Sequence, residues 1–222
     1  MPGAEPTPKP IAVLWCDEHL VVVDKPARCL VVPAPQRSGT TLVDRLTRQL
    51  GARVYAVHRL DEDTTGVIAL ARSEAARAAL EPQFRAHEAE RVYLALVARA
   101  PSPPAGRIES RLAEGSDGVV RSVTTGAGER AVTIYRTLAR REEGVLLECR
   151  LETGRRNQIR AHLAELGCPI VGDRKYGWRA KAGRRNHPRP LLHAWRLALV
   201  HPVSGARLEL VAPPAEPELT PS

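Results

Sequence analysis

Apolar and polar positions alternate in short runs along most of this chain, and helical spacing replaces that alternation at three places. Residues 11–15 and 20–24 are apolar runs around Cys16-Asp17-Glu18-His19, a pattern that predicts a hairpin ended by Lys25-Pro26. Residues 29–32 resume an extended run before Pro33 and Pro35. Leu42, Leu46 and Gln49 then share one face of a helix that Thr40 or Thr41 can cap and Gly51 can stop. Residues 67–71 have the length of a buried strand. Ala76, Ala79, Leu80 and Phe84 follow Ser73 at helical spacing, with Pro82 expected to shorten or kink that helix before about His87. Residues 91–99 read as a strand, and Pro101, Pro103, Pro104 and Gly106 break the chain. Three or four short strands are expected over 107–150. Ile159, Leu163 and Leu166 mark a third helix, with Gly167 as its stop and Arg160 turned away from the centre of the apolar stripe. Two more strands are expected at 192–200 and 206–211.

Strands outnumber helices and mostly follow one another through short turns, which predicts an α+β fold: a mixed, mostly antiparallel sheet with flanking helices. Residues 1–10, with four prolines, and the Pro-rich 214–222 read as disordered tails around one domain over 11–213. At 222 residues the chain can bury one good core. It contains no run of about 18 apolar residues and no apolar segment of the signal-peptide kind near its start, so a protein with no membrane partner is expected. Cys16, Cys29, Cys149 and Cys168 are scattered, with no C-x-x-C pair, which suggests neither a disulfide framework nor a zinc ribbon and makes a reduced, cytoplasmic setting the default.

Charge narrows the partner. The formal net charge is +8, carried by 33 basic residues, of which only Lys9, Lys25, Lys175 and Lys181 are lysine. Arginine grips phosphate bidentately and stacks on bases. Residues 174–189 hold seven Arg or Lys and no acid, a self-repulsion that a polyanion such as RNA would relieve.

The densest chemistry lies in His58-Arg59-Leu60-Asp61-Glu62-Asp63-Thr64-Thr65-Gly66, a polar loop feeding the strand at 67–71. Read alone, this is either a solvated acidic turn or a site. Asp61-x-Asp63-Thr64-Thr65 also permits a Mg²⁺-dependent phosphotransferase, but no second acid follows the downstream Gly172-Asp173. His58, His162, His193 and His201 lack metal-ligand spacing and read as structural; no metal site is predicted.

Three stretches in combination point further: His58-Arg59-Leu60-Asp61 with Thr65-Gly66, then Arg91-Val92-Tyr93-Leu94-Ala95-Leu96-Val97, then Leu151-x-Thr153-Gly154-Arg155-x-x-Gln158-Ile159-Arg160-x-His162-Leu163-Ala164. They resemble the motifs of the RluA-like pseudouridine synthases, in order and at matching spacing. Val22-Val23-Asp24-Lys25-Pro26-Ala27, Pro169-Ile170-Val171-Gly172-Asp173-x-x-Tyr176-Gly177 and Leu192-His193-Ala194 extend the likeness over about 11–213. The resemblance implies the pseudouridine synthase fold and conversion of uridine in structured RNA, ribosomal or transfer, to its C-glycoside isomer without cofactor or metal. It implies Asp61 as the catalytic carboxylate, Arg160 as its ion-pair partner and Tyr93 as the residue stacked on the base. Arg59 would fill the gap left by the flipped uridine, and Ile159 would pack near the ring. Arg155, Arg174, Lys175, Arg184 and Arg185 are the further expected RNA contacts.

Thr65 stands for the usual Ser, Arg91 for Lys, Arg156-Asn157 for Thr-His, and Arg28 occupies a position often held by Gly. The start of the chain is too short for the small RNA-binding domain of many relatives. A monomer without an obligatory protein partner is expected. The alternative from another class is a catalytically silent RNA-binding protein.

Overall fold

The computed structural model describes residues 9–34, 39–180 and 185–221. Strand β1 (Ala12–Cys16) pairs antiparallel with β2 (Leu20–Lys25). The Asp17 carboxylate closes their turn by accepting from the backbone N–H groups of His19 and Leu20, both at 2.8 Å. Helix α1 (Leu42–Leu50) begins at a reciprocal cap, in which the Thr41 side chain accepts from the Asp44 N–H and the Asp44 carboxylate from the Thr41 N–H. A two-residue strand β3 (Tyr55–Ala56) precedes β4 (Thr65–Ala71) and α2 (Glu74–Arg85), which keeps Pro82 within its last turn. There follow β5 (Glu90–Val97), β6 (Ala105–Glu114), β7 (Val120–Ser122), β8 (Glu129–Arg141), β9 (Gly144–Leu151), α3 (Gln158–Glu165), β10 (Leu192–Val200) and β11 (Arg207–Val211).

The strands form one sheet in the order β1-β2-β4-β10-β5-β9-β8-β6-β7, with β3 beside β4 and β11 beside β10. Every named pairing is antiparallel except β4 with β10, where Thr65 and Gly66 lie opposite His193 and Ala194. Gly66, at φ +111°, permits that junction: a Cβ there would stand 2.1 Å from the Ala194 carbonyl oxygen. His193 locks it from the side. Its Nε2–H donates to the Ala212 carbonyl and its Nδ1 accepts from the Thr65 hydroxyl, each at 2.8 Å. The junction matters because the loop carrying Asp61 enters β4 here.

Strand β5 is buried on both faces. Tyr93, Ala95 and Val97 join the main core with Leu46 of α1, Phe84 of α2 and Leu163 of α3. Leu94 and Leu96 face a smaller cluster with Leu146, Val171, Trp178, Leu191 and Leu219. Such a strand is a rigid mount for a functional side chain.

Three expectations need correction. Residues 29–32 form no strand, because their backbone groups are engaged elsewhere: the Leu30 and Val31 carbonyls accept from the first N–H groups of α1, and Cys29 N–H donates to Glu62. Over 107–150 the chain makes two long strands, β6 and β8, as well as shorter ones. The segment after 213 is no free tail, since Pro217–Leu219 form a 3-10 turn and Leu219 is fully buried.

Candidate active site

The loop before β4 is fixed from beneath by a buried cation. Lys25 has no solvent exposure, and its ammonium donates to the carbonyls of Pro26 (2.9 Å), Cys29 (2.8 Å) and Glu62 (2.9 Å). Three carbonyls satisfy all three N–H donors, which makes so buried a charge tolerable. Burial pulls its pKa down to about 8, against the pull of Cys29, Asp63 and Asp61 in the other direction. Arg189 adds a second tie by donating to the Asp63 carbonyl at 3.2 Å. Asp61 thus sits on a loop tied at the two residues that follow it, while its own carboxylate is partly open to solvent.

On the facing wall, the motif around Thr153 is a hydrogen-bond lock. The Gln158 Oε1 accepts from the Thr153 hydroxyl (2.7 Å) and the Arg155 N–H (3.0 Å), while its Nε2 donates to the Val132 carbonyl (2.9 Å) and the Thr133 hydroxyl (3.0 Å). This lock sets the start of α3 and therefore the direction of Arg160, in its first turn. Asn157, just before the helix, takes the left-handed conformation (φ +52°) that asparagine tolerates better than most residues.

Arg160 does not rest chiefly on Asp61. Its Nε and Nη2 donate to the two carboxylate oxygens of Asp173 at 2.6 and 2.9 Å, and its Nη1 donates to Asn157 Oδ1 at 2.9 Å. Nη1 also stands 3.7 Å from Asp61 Oδ2, within ion-pair range and beyond a direct hydrogen bond. Burial works against the guanidinium charge, but the Asp173 carboxylate outweighs it and its pKa is raised. The result is a fixed positive charge beside an Asp61 oxygen that keeps its lone pairs uncapped.

Asp61, Asn157, Gln158 and Arg160 line one cleft, open to solvent, together with Arg59, Tyr93, Ile159 and Arg155. Tyr93 projects from the centre of β5, and burial pushes its phenol up to about 12. Arg59 is exposed at the rim, whereas Arg155 is held back on β8 by the Arg130 carbonyl (3.1 Å) and Glu129 (2.5 Å). Arg91, buried against Tyr93 and Gly154, also lines the cleft.

The expected grip of the 174–189 segment is not gathered here. Arg174 donates to Asn186 (2.8 Å), Lys175 to the Gly118 carbonyl (2.8 Å), and Arg185 pairs with Glu218 (3.1 Å). Arg184 lies outside the described residues. Partners from distant segments relieve the repulsion that the local sequence suggests. His58 is structural: its Nε2 accepts from Ala69 N–H at 3.0 Å, its ring stacks 4.1 Å from Phe84, and burial with the nearby Arg91 pushes its pKa down to about 3. The Mg²⁺ reading fails on Asp173, because Arg160 occupies both oxygens of the acid it would need.

Comparison with known proteins turns this geometry into a family. The model of the RNA pseudouridylate synthase family matches residues 19–165, two thirds of the chain and most of the cleft. The chain belongs to that family. It is 37% identical to the ribosomal large subunit pseudouridine synthase D of Zymomonas mobilis, across 94% of this chain and 70% of that one. It is 36% identical to the tRNA pseudouridine synthase C of Pectobacterium carotovorum, across 91% and 58%. Among solved structures it resembles human RNA pseudouridylate synthase domain containing 4, with a TM-score of 0.75 and 29% identity over 90% of this chain and 87% of the other. As a member of this family of RNA pseudouridine synthases, it isomerises uridine to pseudouridine within RNA. Among the described residues, no helix is long and apolar enough to cross a membrane.

Asp173, the partner of Arg160, and Arg91, in the cleft lining, are the two groups that sequence reasoning passed over. Asp173 stood in a recognised motif, but only as its extension. Nothing local says that its carboxylate reaches back thirteen residues to Arg160.

Proposed function

We propose that Asp61 is the reacting carboxylate of this synthase and that ribosomal RNA is its substrate. The observation that carries the first part is the cleft itself, where Asp61, Arg160 and Tyr93 meet from a loop, a helix and a strand. The task is to break the N1–C1′ glycosidic bond, turn the uracil and form C5–C1′, with the proton lost from C5 balanced by one taken up at N1. Nothing is oxidised or consumed. An ionised carboxylate can attack as nucleophile or stabilise the charge that develops. Arg160 Nη1, 3.7 Å from Asp61 Oδ2, sets a positive charge beside the carboxylate without a direct hydrogen bond to it.

Tyr93 stays protonated at working pH and offers a flat ring on which the uracil can stack, with an O–H available to the proton transfers at C5. Ile159 packs at the ring edge. Arg59, exposed at the rim, takes the place in the RNA stack that the flipped uridine vacates, since the bond is out of reach inside a helix. On this reading the protein works in the cytoplasm as a monomer without an obligatory protein partner.

Ribosomal RNA is favoured because relatives at 35–39% identity carry ribosomal large subunit names. Transfer RNA is the second reading, favoured by the Pectobacterium relative. The test is to map pseudouridines in ribosomal and transfer RNA from a strain lacking the gene, complemented with the wild type or Asp61→Asn. At least one ribosomal position should return with the wild type alone. Restoration confined to transfer RNA would replace the substrate, and restoration by both proteins would remove Asp61 from its role.

A further inference from the structure

Away from the catalytic cleft lies another, open to solvent and lined by five arginines: Arg99, Arg140, Arg141, Arg179 and Arg185. They come from the end of β5, the turn joining β8 to β9, and the segment after Trp178. Arg99 and Arg140 are exposed, and among the described residues their guanidinium groups make no hydrogen bond or ion pair. Arg141, Arg179 and Arg185 each have a nitrogen engaged, with Thr220 (2.7 Å), with the Arg174 and Trp178 carbonyls (3.1 and 2.9 Å) and with Glu218 (3.1 Å). Of the two acids in the lining, Glu143 is held by His187. Glu143, His187 and Glu218 bring possible metal ligands within 4.8 Å of one another. Five guanidinium groups beside them oppose a divalent cation and favour an anion.

Three elements run from the catalytic cleft to this one. Strand β5 carries Tyr93 at one end of the path and leads to Arg99 six residues on, about 20 Å at strand rise. Helix α3 carries Arg160 and ends at Glu165, and the chain turns at Gly167 to Cys168, where burial raises the thiol pKa and the Arg99 charge acts against it. The third runs from Asp173, the partner of Arg160, whose carbonyl accepts from Trp178 N–H next to Arg179. The second cleft is thus held rigidly to the first.

We infer that this arginine cleft is a second anchor for the substrate RNA, gripping backbone phosphates about 20 Å from the target uridine. The inference rests on the reading of the protein as an RNA enzyme. Guanidinium groups spread over so wide a cleft suit a run of phosphates, and contacts of this kind add affinity and register without reading sequence.

The test compares Arg99→Gln/Arg140→Gln with the wild type, using anisotropy of a fluorescein-labelled 30-nucleotide RNA stem-loop across a salt series. Arg48→Gln/Arg53→Gln removes equal charge from exposed positions around α1 and serves as the control. The cleft variant is expected to bind about tenfold more weakly at 0.1 M salt, with the slope of log K against log salt smaller by about 1.5, while the control changes less than twofold. Equal losses in both variants would mean that only bulk charge matters and would overturn the anchor. Unchanged binding by the cleft variant would overturn it too, and continued uridine isomerisation by that protein would leave the enzymatic reading standing. Displacement of the RNA by micromolar inorganic phosphate or nucleoside triphosphate, lost in the cleft variant, would make this a small-anion site instead.

Discussion

Replacing Asp173 by asparagine separates the charge that positions Arg160 from the carboxylate that reacts. Asp173 is 1% exposed and accepts two short hydrogen bonds from a guanidinium that is itself only 13% exposed. Asparagine keeps one acceptor oxygen but turns an N–H₂ toward Arg160 donors. Breaking a buried ion pair from one side costs about 3–5 kcal/mol. Arg160 retains Asn157 and the looser Asp61 contact, so the lower end, about 3 kcal/mol, is expected. For a chain of this size that is a fall in Tm of roughly 6–12 °C. Freed from its chelate, the guanidinium can swing by an ångström or more, a displacement worth about 10²-fold in rate. The loss should appear in kcat with KM little changed, measured by tritium release from C5-labelled RNA below the lowered Tm. A folded Asp173→Asn protein within threefold of wild-type kcat would refute the idea that Asp173 sets the position of Arg160.

Tyr93→Phe should keep KM within about twofold and lower kcat about 10²-fold, the scale of a lost acid–base group, whereas Tyr93→Ala should also destabilise by about 3–5 kcal/mol; steady-state kinetics and urea melts decide, and full activity of the Phe variant would reduce Tyr93 to a stacking surface. Lys25 has a folded pKa near 8, below its ordinary value, so the unfolded chain binds more protons between about pH 8 and 10.5. Its contribution to stability therefore rises across that window, by up to about 1.4 kcal/mol per pH unit, and is lost as pH falls through 8; comparing Lys25→Met with wild type by denaturation at pH 7, 8.5 and 10 should show this, and a flat difference would contradict it. Gly66→Ala must find room for a carbon 2.1 Å from a backbone oxygen at φ +111°, so a Tm loss of at least about 6 °C is expected by calorimetry.

Local patterns carried much of this fold into the sequence. The Asp17 turn, the Thr41–Asp44 cap and the face of α3 depend on residues within a few positions of each other, and all three helices lie where their spacing places them. What stayed hidden depends on distant partners. The parallel β4–β10 junction joins residues 128 apart through one glycine and one histidine, and no local rule announces it. Residues 174–189 look like an unpaired basic run until Glu216, Glu218 and the Gly118 carbonyl arrive from elsewhere. Leu219 is the one large apolar residue in the 214–222 tail, and only the slot beside Trp178 gives it a reason to fold back. In the site, the sequence placed Asp61, Tyr93 and Arg160 through resemblance. It paired Arg160 with Asp61, where the structure makes Asp173 the main partner, because a helix face shows the direction of a side chain and not what will meet it.

The decisive measurement is tritium release from cellular RNA labelled at uridine C5, taken from cells lacking the enzyme and assayed with EDTA present. Joining C5 to C1′ must expel that hydrogen, so release reports the reaction itself. Wild type should release tritium and Asp61→Asn should release none, although it keeps RNA binding. Equal release by both would contradict a carboxylate mechanism at Asp61.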